Sequence, residues 1–139
     1  MPGAHPRFIH LRTHTEHSLL EGAVPVKRLV DLCVKAQMPA VAVTDTNNMF
    51  AALEFSVTAA GAGVQPIVGC QIAIAHDPAQ PGERPRLPAP IVLLAQTEAG
   101  YMNLMRLNTH LYIDGAINSS TNLPQVTLDE LQQHSDGLI

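Results

Sequence analysis

Histidines at positions 10 and 14, with an arginine between them at 12, are the residues of this sequence best spaced for chemistry. In an extended strand alternate side chains share a face, so His10, Arg12 and His14 would project together, about 6–7 Å apart in sequence. Two imidazoles flanking a third inward position would make a start on a divalent-metal centre. Arginine in that middle position works against it, because a guanidinium keeps its proton and offers no lone pair to a cation. Further polar groups stand where apolar runs end, at Asp45, Gln71 and Gln96. With His14 they fall at the C-terminal ends of expected strands, where α/β folds gather their reactive groups.

The other polar candidates carry less. His5 belongs to an N-terminal tail, His76 to the edge of a proline-rich stretch, and His110 and His134 to solvent-facing positions on helices. His17 is expected at the surface, and Glu16 and Glu21 as loop carboxylates. Ser18 beside His14 or His17 makes a poor nucleophile–base pair, since no oxyanion-hole sequence or third orienting group accompanies it.

The elements that must position these groups alternate between strand and helix. Residues 8–14 read as a strand and Ser18–Gly22 as a turn. Pro25 suits the first position of a helix whose buried stripe is Val26, Leu29, Val30 and Cys33. The short apolar run 40–44 has the character of a strand covered on both faces. Asn47 or Asn48 caps a second helix, with Phe50, Leu53 and Val57 recurring at helical spacing, and Gly61 and Gly63 end it. A third strand covers 65–75. Residues 76–90 hold five prolines and read as an exposed excursion within one domain spanning 1–139. A buried strand at 91–95 follows. The next helix starts near Glu98, with Tyr101, Leu104, Met105, Leu111 and Tyr112 on one face, then a polar loop from Gly115 to Pro124. Thr127-Leu128-Asp129-Glu130 fits a capping box. Gly137 closes that last helix, and Leu138-Ile139 look like the first step of a further strand, as if the chain were the N-terminal piece of something longer. The rhythm specifies an α/β fold with a parallel sheet or barrel.

A chain of 139 residues can bury one core, and its net charge of −4 argues against binding nucleic acid through bulk electrostatics. Its two cysteines, Cys33 and Cys70, lie in apolar patterns and read as buried free thiols of a reducing cytosol. No signal-peptide core opens the sequence, and no run approaches the ~20 apolar residues of a membrane span, so a cytoplasmic protein without membrane contact is expected.

His10-Leu11-Arg12-Thr13-His14-Thr15, Ser18-Leu19-Leu20-Glu21-Gly22, Ala42-Val43-Thr44-Asp45-Thr46-Asn47-Asn48 and Gly63-Val64-Gln65-Pro66-Ile67-Val68-Gly69-Cys70-Gln71 together resemble the polymerase and histidinol phosphatase (PHP) family. More narrowly they resemble the PHP domains at the N-termini of bacterial replicative polymerases of the C family. The likeness runs almost end to end, through Gly100-Tyr101-Met102-Asn103-Leu104 to Asp136-Gly137-Leu138-Ile139. It implies the N-terminal portion of a distorted (β/α)7 barrel, truncated at residue 139. Metal-competent members hold two or three divalent ions and hydrolyse phosphoesters, some as a 3′–5′ proofreading nuclease.

In those members the first motif is His-x-His, the second Asp-His, the third supplies a carboxylate and the fourth another histidine. Here the corresponding positions read Arg12-Thr13-His14, Asp45-Thr46, Gln71 and Pro90. His10, His14 and Asp45 remain, whereas Arg12, Thr46, Gln71 and Pro90 mark lost ligands. Two-metal sites need imidazoles and carboxylates, and every change removes one or adds positive charge. The resemblance therefore implies a degenerate domain with no catalytic residue and no cofactor of its own, in which an Arg12–Asp45 ion pair fills the vacated space. Its implied role is a scaffold for the remainder of the polymerase chain and for the proofreading exonuclease subunit, with DNA and Mg²⁺ engaged by domains outside these residues. Two alternatives stand beside it: a metal-dependent phosphoesterase or proofreading nuclease, and an error-prone paralogue of the polymerase.

Overall fold

A computed structural model describes residues 8–76, 81–84, 86–115 and 123–139 of the chain. Its three strands lie in one sheet in the order β1 (Ala40–Val43), β2 (Gln65–Ile74), β3 (Ala89–Leu94). By contact density the chain divides into two compact units, Met1–Cys70 and Gln71–Ile139.

In the first unit, α1 (Val26–Lys35) follows Pro25, whose φ of −63° and ψ of 147° place it one residue before the helix as its cap. Val26, Leu29, Val30 and Cys33 are its buried face, the stripe expected from their spacing. All of β1 is buried. It pairs in parallel with β2 from Ala40↔Gln65 to Val43↔Val68. The helix between them, α2 (Ala52–Gly61), buries Ala52, Phe55 and Ala59. Phe55 and Ala59 pack with Val30, Val41, Val43 and Val64 in the core of this unit.

That face corrects the sequence expectation: Phe50, Leu53 and Val57 point outward, at 76%, 78% and 67% exposure. The small Ala51, Ala52 and Ala59 let the helix lie close on the sheet while Phe55 fills the gap, so the largest apolar residues are left outside. Neither asparagine caps α2. Its cap is Ala51, with no side-chain bond, and the Asn48 Oδ1 instead accepts from the Phe50 N–H in the turn ahead of it.

In the second unit Thr97 caps α3 (Glu98–His110), accepting from the Gly100 N–H, and a π-helical turn, Leu111–Gly115, extends it. Its buried positions are Gly100, Asn103, Leu104 and Leu107, followed by Leu111; Met105 and Tyr112 lie outside that face. The capping box forms as expected, Thr127 and Glu130 bonding reciprocally at the start of α4 (Leu128–Gln133). In β3 only Leu93 is buried, against the expectation of a covered strand. Leu138 and Ile139 do pair, but antiparallel to the end of β3: the Leu94 and Ile139 N–H groups each donate to the other's carbonyl, at 2.7 and 2.9 Å. His110 and His134 are half-buried and stacked on each other with centroids 5.5 Å apart, so neither is the free surface histidine expected. His5, four residues of the proline-rich stretch (77–80) with Pro85, and most of the polar loop before Pro124 lie outside the described residues.

Cys33 and Cys70 are both buried thiols outside any disulfide. Burial pushes the Cys33 thiol above the ordinary value of a free thiol. The folded state therefore resists forming the thiolate, so stability that is present below the unfolded thiol's pKa, about 8.5, falls as pH rises through it. The expected outcome is a urea midpoint that declines above that pH in the parent and declines less in Cys33→Ala. Among the described residues no helix is long and apolar enough to cross a membrane.

Candidate functional site

Residues 8–14 run beside β1, but not as a regular strand. The Ala42 N–H donates to the His10 carbonyl and the Thr44 N–H to the Thr13 carbonyl, both at 2.8 Å. The step of two residues from Ala42 in β1 to Thr44 just past its end thus matches a step of three in the N-terminal segment, and the extra residue is absorbed in a bend at Leu11. Strict alternation is broken there, as at a bulge. Consequently Thr13 joins His10, Arg12 and His14 in lining one cleft of about 500 Å³, together with Glu21 and Leu29.

His14 closes that cleft. Its Nδ1 lies 3.2 Å from Glu21 Oε2, and the same carboxylate oxygen accepts from the Thr46 hydroxyl at 2.5 Å. With Nδ1 turned to Glu21, the buried Nε2 of His14 is left without a hydrogen-bond partner. Glu21 reaches this position through the turn 18–22, in which the Glu21 and Gly22 N–H groups both donate to the Ser18 carbonyl. Gly22 passes so close to the preceding segment that a Cβ there would sit 2.2 Å from the Thr15 carbonyl oxygen. Only a residue without a Cβ lets the turn close.

Asp45 follows β1 at 1% exposure and takes its bonds from the first motif rather than from arginine. Its Oδ1 accepts from the Thr15 N–H at 2.6 Å and from the Ser18 hydroxyl at 2.6 Å, and its Oδ2 from the Thr15 hydroxyl at 2.8 Å. Ser18 Oγ in turn accepts from the Thr46 N–H at 3.0 Å. The expected Arg12–Asp45 pair is therefore replaced by a hydroxyl and amide cradle, with Arg12 exposed in the cleft. The reason is placement: the turn after His14 brings Thr15 and Ser18, 30 and 27 residues from Asp45 in sequence, against its carboxylate, whereas a guanidinium would have to be buried beside it.

The remaining sequence candidates are His17, Gln71 and Pro90. His17 packs its ring edge against Phe50, at 6.4 Å between centroids, and its carbonyl accepts from the Asn48 amide. Gln71 is buried within β2 rather than at its end, and Pro90 is the exposed second residue of β3. Both belong to the second unit. Among the described residues no group of three or more His, Cys, Asp or Glu side chains is arranged to hold a metal ion. Sequence reading missed Thr15, placed Ser18 and Glu21 only in a turn and a loop, and gave neither a bond to the motif residues. The available signal was a Thr, a Ser and a Glu-Gly pair crowded directly after the histidines, residue types that bond nearby groups and close turns.

Residues 10–139 match the PHP domain. The chain belongs to the PHP family. This PHP domain is 42% identical over 132 residues to the DNA polymerase III subunit alpha of Caulobacter vibrioides, a match covering 95% of the chain and 11% of that protein. It is 44% identical over 133 residues to the Pseudomonas fluorescens protein of the same name, again over 95% of the chain and 11% of the relative. The chain thus spans about a tenth of the length of the curated relatives it matches. Among solved structures, an amidohydrolase from Chromobacterium violaceum superposes with a TM-score of 0.57 at 20% identity, over 78% of this chain and 34% of that one. The likeness concerns the fold alone: an α/β arrangement of a small sheet and helices.

Proposed function

We propose that this PHP domain is a non-catalytic scaffold within a DNA polymerase III alpha subunit, the N-terminal part of a distorted (β/α)7 barrel. The observation that carries the proposal is Asp45. It is the one carboxylate left among the family's ligand positions, and Thr15 and Ser18 occupy both of its oxygens. In the sequence Arg12, Thr46, Gln71 and Pro90 stand at motif positions where metal-competent members carry ligands. The bare Nε2 of His14 offers a single nitrogen. A cluster of divalent ions needs several imidazoles and carboxylates at once, and the residues present do not fit it.

In this proposal the domain supports the remainder of the polymerase chain and the proofreading exonuclease subunit. DNA synthesis, with its Mg²⁺, belongs to domains outside these 139 residues. The names and extents of the relatives support that placement, and support the replicative subunit over an error-prone paralogue. An active phosphoesterase or proofreading nuclease would need ligands at positions 12, 46, 71 and 90. Incubation with bis(p-nitrophenyl) phosphate and Mn²⁺ tests the proposal: release of nitrophenol should not exceed the protein-free rate. Hydrolysis that depends on the protein and is abolished by EDTA would overturn it.

A further inference from the structure

Among the described residues the outward face of α2 stays largely uncovered, touched at Phe50 by the ring edge of His17. At 100° per residue, Leu53, Val57 and Ala60 fall within 60° of one another, opposite the buried Ala52, Phe55 and Ala59. Phe50, one position ahead of the helical Ala51 cap, continues the same row. The intervals along the row are three, four and three residues, the spacing of a seam that receives a second helix. A strand would have matched alternate positions instead. Three large apolar side chains more than two-thirds exposed in one row form a contiguous patch, not scattered surface residues.

We propose that this row is the docking surface for a helix from the remainder of the polymerase polypeptide. The inference rests on the functional reading above, and two observations select that occupant. The matched relatives carry nearly nine-tenths of their length outside the region shared with this chain, which leaves ample polypeptide to supply a helix. The only charged residue of α2 is Glu54, directly beside the row. A second copy packed about a two-fold axis would set Glu54 near its own equivalent, between chains that each carry a net charge of −4. A helix with an apolar stripe flanked by lysine or arginine meets the same surface with complementary charge.

The test places a photo-crosslinking amino acid at position 53 of a polymerase polypeptide that carries this chain as its PHP domain. The expected result is a cross-link within one polypeptide, to a helical peptide outside residues 1–139, with a yield that falls about tenfold on Val57→Lys. A cross-link between two copies, or reaction with water alone, overturns the proposal. In the isolated chain, Leu53→Lys with Val57→Lys should leave the unfolding midpoint unshifted; loss of folding would place these residues in the core and also overturn it. Primer extension by the unmodified polypeptide reports on the polymerase reading separately: activity without the intramolecular cross-link sinks only the docking surface.

Discussion

Replacing Asp45 with alanine is expected to lower the stability of the chain by about 4 kcal/mol, read as a shift of the urea unfolding midpoint. The carboxylate accepts three hydrogen bonds of 2.6–2.8 Å at 1% exposure. Bonds to a charged group contribute about 1.5–3 kcal/mol each and do not simply add. Alanine would leave the Thr15 amide, the Thr15 hydroxyl and the Ser18 hydroxyl as buried donors without an acceptor, which costs more than losing an exposed pair. Asp45→Asn should cost less, about 2 kcal/mol, because one amide oxygen still accepts while its NH₂ faces donors. A midpoint for Asp45→Ala within error of the parent would mean that the cradle contributes nothing to holding the first motif against β1.

Gly100→Ala should be the next most damaging change, at about 2 kcal/mol net, measured by the same unfolding curve. The sign is informative, because alanine is normally the better helix residue by about 1 kcal/mol. Here a Cβ on Gly100 would lie 1.9 Å from the Gly137 carbonyl oxygen, and one on Gly137 would lie 2.1 Å from Thr97 Oγ1. Gly137 also holds a φ of 72°, which favours glycine. Backbone meets backbone at this crossing, so no side chain can swing aside. Making room would pull Gly137 from the Gln96 N–H at 2.9 Å and Asp136 from the Asn103 amide at 3.0 Å, and loosen the Leu94–Ile139 pair. A stabilised Gly100→Ala would show that the last residues do not pack on α3 in solution.

These two positions also mark what could be read from sequence and what could not. The α1 stripe was legible because Val26, Leu29, Val30 and Cys33 recur at helical spacing while Lys27, Arg28, Asp31 and Lys35 mark the other side. The capping box at Thr127 was legible because it is local, complete within four residues. On α2 the polar Glu54, Ser56 and Thr58 do not gather on one face, so spacing alone favoured the large residues, and the small ones won because they allow a closer approach to the sheet. In the first motif His10, Arg12 and His14 do share a cleft, but the regular strand expected there fails, because one extra residue opposite β1 breaks the alternation and brings Thr13 in beside them. The Arg12–Asp45 pair satisfied charge on paper, but two hydroxyls and an amide already at hand satisfy a buried carboxylate without burying a cation. The His110–His134 stack depends on two helices meeting 24 residues apart in sequence, beyond any local pattern.

The most direct test of the degenerate-scaffold account is metal content. Purified chain would be incubated with Mn²⁺ or Zn²⁺, desalted and analysed for ions per chain. The account predicts a ratio near zero, because Asp45 is engaged and Arg12 lines the cleft. Two or more tightly held ions per chain would contradict it.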